Sequence, residues 1–217
     1  MKGQGRGLFI VFEGLDGAGT TTQSHLLAER VREADPDRPV LVTSEPTSGP
    51  IGSLIRQVLR ERVAAVTAFG VREPFDRKAL ALLFAADRLD HGSCEIGPLL
   101  DAGYVVISDR YLLSSLAYQG MDAPIEWVAG INRFARPPDL LVFLDVPAKV
   151  AWERIRASRP GHELFETPET LARVAEAYQR ALETCPPESL KILSGDIPRE
   201  DVADRVWEAV EPLLTHP

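Results

Sequence analysis

The residues able to do chemistry gather in two stretches. Residues 14–23 read GLDGAGTTTQ, which sets Gly14, Leu15, Asp16, Gly17, Ala18, Gly19, Thr20 and Thr21 in the spacing of a phosphate-binding loop, G-x-x-x-x-G-K-[ST]. Glycines at this spacing let successive backbone N–H groups turn inward as an anion nest. A helix start behind them adds unsatisfied donors and a positive dipole end. Thr21 stands where a hydroxyl can ligate Mg²⁺. The lysine position holds Thr20, which can donate a hydrogen bond but brings no charge. One charge-assisted hydrogen bond is worth roughly 1.5–3 kcal/mol net, so the exchange matters. The second stretch, VVISDRYLLSSLAYQG (105–120), ends an apolar run in Asp109 and Arg110. A carboxylate there can hold Mg²⁺ through water, and a guanidinium can clamp a phosphate with paired donors. Each motif alone has a plainer reading, a linking turn for the first and a surface ion pair for the second.

The elements around the motifs choose between these readings. Five apolar runs, at 8–13, 40–45, 104–109, 140–145 and 190–195, lack polar alternation, the pattern of strands buried on both faces. Helical spacing covers 20–34, 77–92, 168–183 and 199–214, with Gly92 as the expected stop of the second and Thr167-Pro168 as cap and first residue of the third. Strand alternating with helix argues an α/β fold, a five-stranded parallel sheet of phosphate-loop NTPase type with helices on both faces. The 217 residues are read as a single domain, 1–217, with a short lid at about 154–168 in the irregular, arginine-bearing stretch SRPGHELFETPE.

Net charge is −8, which argues against nucleic acid or an anionic membrane as the main partner. Twenty arginines against four lysines suit planar phosphate recognition, or reflect coding bias. Cys94 and Cys185 match no metal spacing and read as free thiols. The five apolar residues before Glu13 are too few for a signal or a membrane span, so a cytoplasmic location is expected.

Taken in order, FEGLDGAGTTTQ (12–23), SEP with a following Gly-containing turn (44–52), LLFAADRLDH (82–91), DRYLLSSLAYQG (109–120) and PDLLVFLDVPAKVAWERI (138–155) resemble the thymidylate kinases, a family of phosphate-loop nucleoside monophosphate kinases. The resemblance implies transfer of the γ-phosphoryl group of ATP to dTMP, with Mg²⁺, in a homodimer. It implies that Asp16 meets the 3′-hydroxyl of the acceptor sugar and that Arg110 meets the acceptor phosphate. Phe84 would stack on thymine, Arg88 would contact the thymine edge, and Ser115 and Gln119 would lie on the base side. Tyr118 would sit under the deoxyribose. Glu45-Pro46 would open the loop over the acceptor, with Arg56 near its phosphate. Thr21 and Asp109 fall on the metal side, and Arg154 on the ATP side. Lid arginines Arg156 and Arg159 are the candidates to replace the missing loop lysine, and with Asp16 and Arg110 form the expected catalytic set. Helices near 77–92 and 112–120 are the implied dimer face.

By residue type alone, Phe84 and Tyr118 suit core packing as well, Asp87-Arg88 suits an ion pair on a helix face, and His91 reads as a polar helix end. Two rival functions follow from the same residues. One is a kinase of another deoxynucleotide or a nucleoside. The other is a catalytically weak nucleotide-binding homologue that has lost its loop lysine at Thr20.

Overall fold

The structure, a computed structural model, describes residues 6–158 and 167–215. Its first strand, β1 (Leu8–Gly14), is buried along its whole length and feeds directly into the glycine loop. The loop ends at Gly19 in a left-handed conformation, and α1 (Thr20–Ala34) begins at the next residue. There follow β2 (Val40–Ser44), α2 (Pro50–Leu59), a hairpin of β3 (Ala65–Val66) and β4 (Arg72–Glu73), and α3 (Arg77–His91). Asp76 caps α3 by accepting from Ala79 N at 2.8 Å. A single π turn, Gly92–Ile96, carries α3 into α4 (Gly97–Asp101). The chain continues through β5 (Val105–Asp109), α5 (Leu112–Tyr118), α6 (Ile125–Ile131), β6 (Leu140–Asp145), α7 (Ala148–Ser158), α8 (Pro168–Leu182), β7 (Leu190–Ser194) and α9 (Arg199–Thr215).

The main sheet is parallel, in the order β2-β5-β1-β6-β7. The chain winds from β1 toward β2 on one side and, after β5, toward β6 and β7 on the other. The crossovers therefore part at β1, where ligands sit in open sheets of this kind. Register brings Phe12, Ser44 and Asp109 level, so the loop, the β2 end and the β5 end share one edge.

The core is the apolar interior of β1, β5 and β6, closed by α1 with Leu27 and Val31 and by α8 with Leu171, Val174 and Tyr178. A smaller cluster of Ile55, Val58 and Leu80 ties α2 to α3, with Phe84 packed at its margin.

The five expected strands are all present, and the fold is the phosphate-loop α/β type with helices flanking the sheet. Two expectations are corrected, and one element was not anticipated. Strands β2 and β7 are not buried on both faces, because they are the two edges of the sheet. Gly92 does not stop α3; its backbone is helical (φ −61°, ψ −39°), since glycine permits a left-handed stop without compelling one. The β3–β4 hairpin has two-residue, exposed strands with no apolar pattern to announce them. Thr167 does cap α8, accepting from Thr170 N at 3.1 Å, with Pro168 first in the helix.

Candidate nucleotide and acceptor site

The loop holds its shape because α7 lies against it. A Cβ on Gly17, whose φ is +83°, would fall 2.4 Å from the Ala151 carbonyl oxygen, so only glycine permits this approach. Within the loop, Ala18 N donates to Leu15 O at 3.0 Å. A continuous cleft of about 980 Å³ runs from the loop across the sheet edge to α3. Its lining includes Asp16 to Gln23, Glu45, Pro46, Arg56, Phe84, Arg88, Asp109, Arg110, Ser115, Tyr118, Gln119 and Arg154.

Beneath the loop lies Glu13, fully buried. Its carboxylate accepts from Tyr111 N and Ser114 N, each at 3.0 Å, from Ser114 Oγ at 2.6 Å and from Tyr178 Oη at 3.2 Å. Burial pushes its carboxyl above the usual range, against the opposing pull of Arg110 and the Ser114 hydrogen bond. The network fixes the turn that presents Arg110, a non-glycine residue at φ +77°. A backbone held in that region costs on the order of 1–3 kcal/mol, which the surrounding bonds must offset. Arg110 donates to the Gly14 carbonyl, to Tyr178 Oη at 2.9 Å and to Asp16 Oδ1 at 2.8 Å. Burial opposes its charge most, but Tyr178, Asp16, Tyr118 and Asp109 around it hold the guanidinium firmly protonated. Tyr118 Oη donates to the second Asp16 oxygen at 2.9 Å, so Asp16 is gripped from both sides. Burial, with Asp16 next, pushes the Tyr118 phenol up and keeps it neutral.

On the metal side, the Thr21 hydroxyl donates to Asp109 Oδ2, joining the start of α1 to the end of β5. The other oxygen, Oδ1, is buried with no hydrogen-bond partner among the described residues. An unsatisfied carboxylate oxygen beside a loop hydroxyl fits a hydrated Mg²⁺, which takes one or two protein oxygens and otherwise water and phosphate.

At the far end, Arg88 is almost fully buried. Its Nη2 pairs with Glu45 Oε2 at 2.8 Å and donates to Tyr111 O at 2.9 Å and Ser115 Oγ at 3.0 Å. Its Nη1 donates to Asn132 Oδ1, and its plane lies over the Tyr111 ring. Arg88 Nε and Gln119 Oε1 are buried and have no partner among the described residues. Arg88 is therefore no surface ion pair with Asp87. Asp87 instead accepts from Thr47 N at 2.8 Å and Thr47 Oγ1 at 2.7 Å, pinning the loop after Glu45-Pro46. Arg56 Nη1 donates to Pro46 O at 2.6 Å within the same loop. His91 does end α3, but it is buried there between Glu45 and Glu95.

The cleft lining takes in every sequence-derived candidate except four: Gly14 and Leu15, which lead into the loop, and two arginines. Arg156 lies on α7 but is not among the cleft-lining residues, and Arg159 lies outside the described residues, as does most of the expected lid. Arg154 does line the cleft, donating to Gly195 O at 3.0 Å. Sequence reasoning missed Glu13, Ser114, Tyr178 and Asn132. Glu13 carried a signal, an acidic residue inside a wholly apolar strand. Tyr178 carried none, because it reaches the site from α8, more than sixty residues beyond Arg110.

A glycine loop opening a helix at the edge of a parallel sheet, with an aspartate and arginine facing it from the next strand, defines a phosphate-loop protein built for nucleotide phosphates. Comparison with known proteins narrows this class. Residues 12–206 match the thymidylate kinase family. A protein named probable thymidylate kinase from Thermococcus kodakarensis is 40% identical over 210 residues, covering 95% of this chain and 98% of the relative. One so named from Pyrococcus abyssi is 44% identical over 180 residues, covering 82% and 84%. Another, from Methanococcus aeolicus, is 39% identical over 175 residues, covering 80% and 79%. The chain belongs to the thymidylate kinase family.

Proposed function

We propose that this protein is an ATP-dependent dTMP kinase, converting ATP and dTMP to ADP and dTDP. Family membership supports the reaction class. The observation that carries the acceptor is the unpaired donor and acceptor in the α3 end of the cleft, Arg88 Nε–H and Gln119 Oε1. Thymine offers the complement, a carbonyl O4 and an N3–H. Cytosine presents an amino group and a bare N3 instead, so Arg88 Nε–H would face another donor at a cost of about 1–3 kcal/mol. Phe84, half-buried at the margin of the α2–α3 cluster, supplies an apolar ring beside them.

In the reaction, an oxygen of the dTMP phosphate attacks the γ-phosphorus of ATP. The new P–O bond forms as the bond to the β-phosphate oxygen breaks, and ADP leaves with that electron pair. Such transfer needs positioning and charge more than covalent help. Loop amides from Gly14 to Thr21 hold the ATP phosphates, and Arg110, already charged and fixed, meets the acceptor phosphate. Asp16 and Tyr118 orient the sugar, while Arg56 and the Glu45-Pro46 turn bound the phosphate. Thr21 and Asp109 would hold Mg²⁺, which supplies charge neutralisation between the phosphates. Arg154 serves the ATP side. Arg156 or Arg159 would supply the cation that Thr20 lacks.

The weak-homologue reading rests on Thr20 alone, against an otherwise complete charged site. A coupled assay of ADP release with dTMP, dUMP, dCMP, AMP and thymidine tests the proposal. Turnover should be highest with dTMP and should require Mg²⁺; turnover confined to a nucleoside, or none with any acceptor, rejects it. The family reading also carries a cytoplasmic homodimer. Leu82 and Leu89, exposed and seven residues apart on α3, supply an apolar face for such a dimer, which light scattering can weigh.

A further inference from the structure

Behind the acceptor pocket lies His91, a buried group that the reaction does not use, set between Glu45 and the half-exposed Glu95. His91 is the last residue of α3, and the π turn that follows brings Glu95 back against it. Its Nδ1 lies 3.1 Å from Glu45 Oε1. Its Nε2 lies 3.0 Å from Glu95 Oε2 and 2.9 Å from Thr43 Oγ1. The Thr43 hydroxyl spends its own hydrogen on Glu95 Oε2, at 2.8 Å. Both ring nitrogens therefore face only acceptors, and a neutral imidazole would turn a lone pair toward a carboxylate. Carboxylates on both sides favour two N–H groups on the ring. Glu45, the acceptor on one side, uses its other oxygen to pair with Arg88. Its backbone N–H donates to Asp109 O at 3.1 Å, so the same residue stands between the base pocket and the β5 end.

We propose that His91 is a positioning residue for the acceptor site, holding Glu45 so that Arg88 keeps its Nε–H aimed at the base, and that loss of the His91 proton weakens acceptor binding. The inference rests on the acceptor assignment made above. Glu45 bridges two cations. When His91 becomes neutral, Glu45 loses the charge of one of its two cationic partners, and only one of the two ring nitrogens can still donate. The charged groups facing His91 are Glu45 from the end of β2 and Glu95 from the π turn, with Arg88 on the far side of Glu45. Burial opposes the imidazolium most strongly, but the hydrogen bond and charge of Glu45, then Glu95, outweigh it and lift its titration above the ordinary 6.5. A raised value places full function below the ordinary histidine range and loss as pH climbs through the raised one.

The test uses thymidine as a competitive inhibitor against dTMP, because the dTMP phosphate titrates near pH ~6 and would blur the profile. The inhibition constant for thymidine is followed from pH 6 to 9 for the wild type, His91→Gln and Glu95→Gln, alongside the KM for ATP. Histidine ¹⁵N shifts report the charge of His91 directly. The wild type should bind thymidine about tenfold more weakly above the break than below it, at unchanged ATP KM. Glu95→Gln should move that break to lower pH, and His91→Gln should bind weakly at every pH with no break. If His91→Gln does not fold, the Glu95→Gln displacement decides. Parallel thymidine profiles in wild type and Glu95→Gln, or a doubly protonated His91 absent at pH 6, overturn the inference and leave the kinase assignment standing. Failure of the wild type to phosphorylate dTMP overturns both.

Discussion

Arg110 Nη2 lies 2.8 Å from Asp16 Oδ1, and the same guanidinium reaches the Gly14 carbonyl through its other nitrogen. Arg110 is thus bolted to the glycine loop. The two ends of the cleft cannot drift apart without breaking these bonds, which is what in-line transfer needs. Replacing Arg110 by lysine keeps the charge but loses the planar fork and three of its geometric constraints. Turnover of Arg110→Lys should fall by about 10²–10³-fold, the cost of one lost transition-state donor. Steady-state kinetics beside a thermal melt separates this from unfolding. A variant within threefold of wild type would remove Arg110 from the catalytic set.

Glu13 sets a pH prediction for stability. Its carboxyl is raised by burial, so the folded state holds that proton more tightly than the unfolded chain does. Below the ordinary value near 4.5 both states are protonated and Glu13 contributes no difference. As pH rises past it, the unfolded chain releases its proton first, and this favours unfolding until the folded group titrates too. Glu13→Gln cannot titrate. The melting temperature of wild type minus that of Glu13→Gln should therefore grow as pH falls from 8 to 5. A flat difference would mean that the four donors around Glu13 cancel its burial.

Gly17 sets a packing prediction. An alanine there would strain a left-handed backbone and drive Cβ into the Ala151 carbonyl. Either α7 moves off the loop or the loop moves off its nest. Gly17→Ala should raise the KM for ATP at least tenfold and the KM for dTMP by less, because Asp16 is the one proposed acceptor contact in the loop and the rest lie outside it. Equal damage to both constants would indicate global unfolding rather than a displaced loop.

Legibility from sequence followed the locality of the interaction. The loop, its strand and its helix were readable because one continuous stretch, Leu8 to Ala34, builds all three. Thr167 was readable as a cap because its partner is three residues away. By residue type alone Arg88 and Asp87 suit a local pair as well, because their actual partners, Glu45 and Thr47, lie about forty residues earlier. His91 looked like a polar helix end because nothing near it announces a π turn or a carboxylate arriving from β2. The hairpin at Ala65–Val66 and Arg72–Glu73 has no buried face, so it leaves no hydrophobic period to find.

Thr20 poses the last prediction. It sits buried in the loop where a lysine would reach the transferred phosphate, and its hydroxyl carries no charge. Arg154 lines the cleft. Gly195, whose carbonyl it grips, packs close to Ala18, so Arg154 stands beside the loop. That placement suits holding bound ATP, whereas a lid arginine that arrives only on closure suits the transition state. The two roles separate kinetically. Arg154→Ala should raise the ATP KM about tenfold with a smaller effect on turnover. Arg156→Ala or Arg159→Ala should lower turnover tenfold or more at near-constant ATP KM. If the lid arginine replaces the loop cation, Thr20→Lys should restore part of the turnover lost in the lid variant and add little to the wild type. Should neither lid variant lose tenfold, compensation from the lid is wrong. Should Thr20→Lys accelerate the wild-type enzyme a hundredfold, the missing charge was never replaced at all.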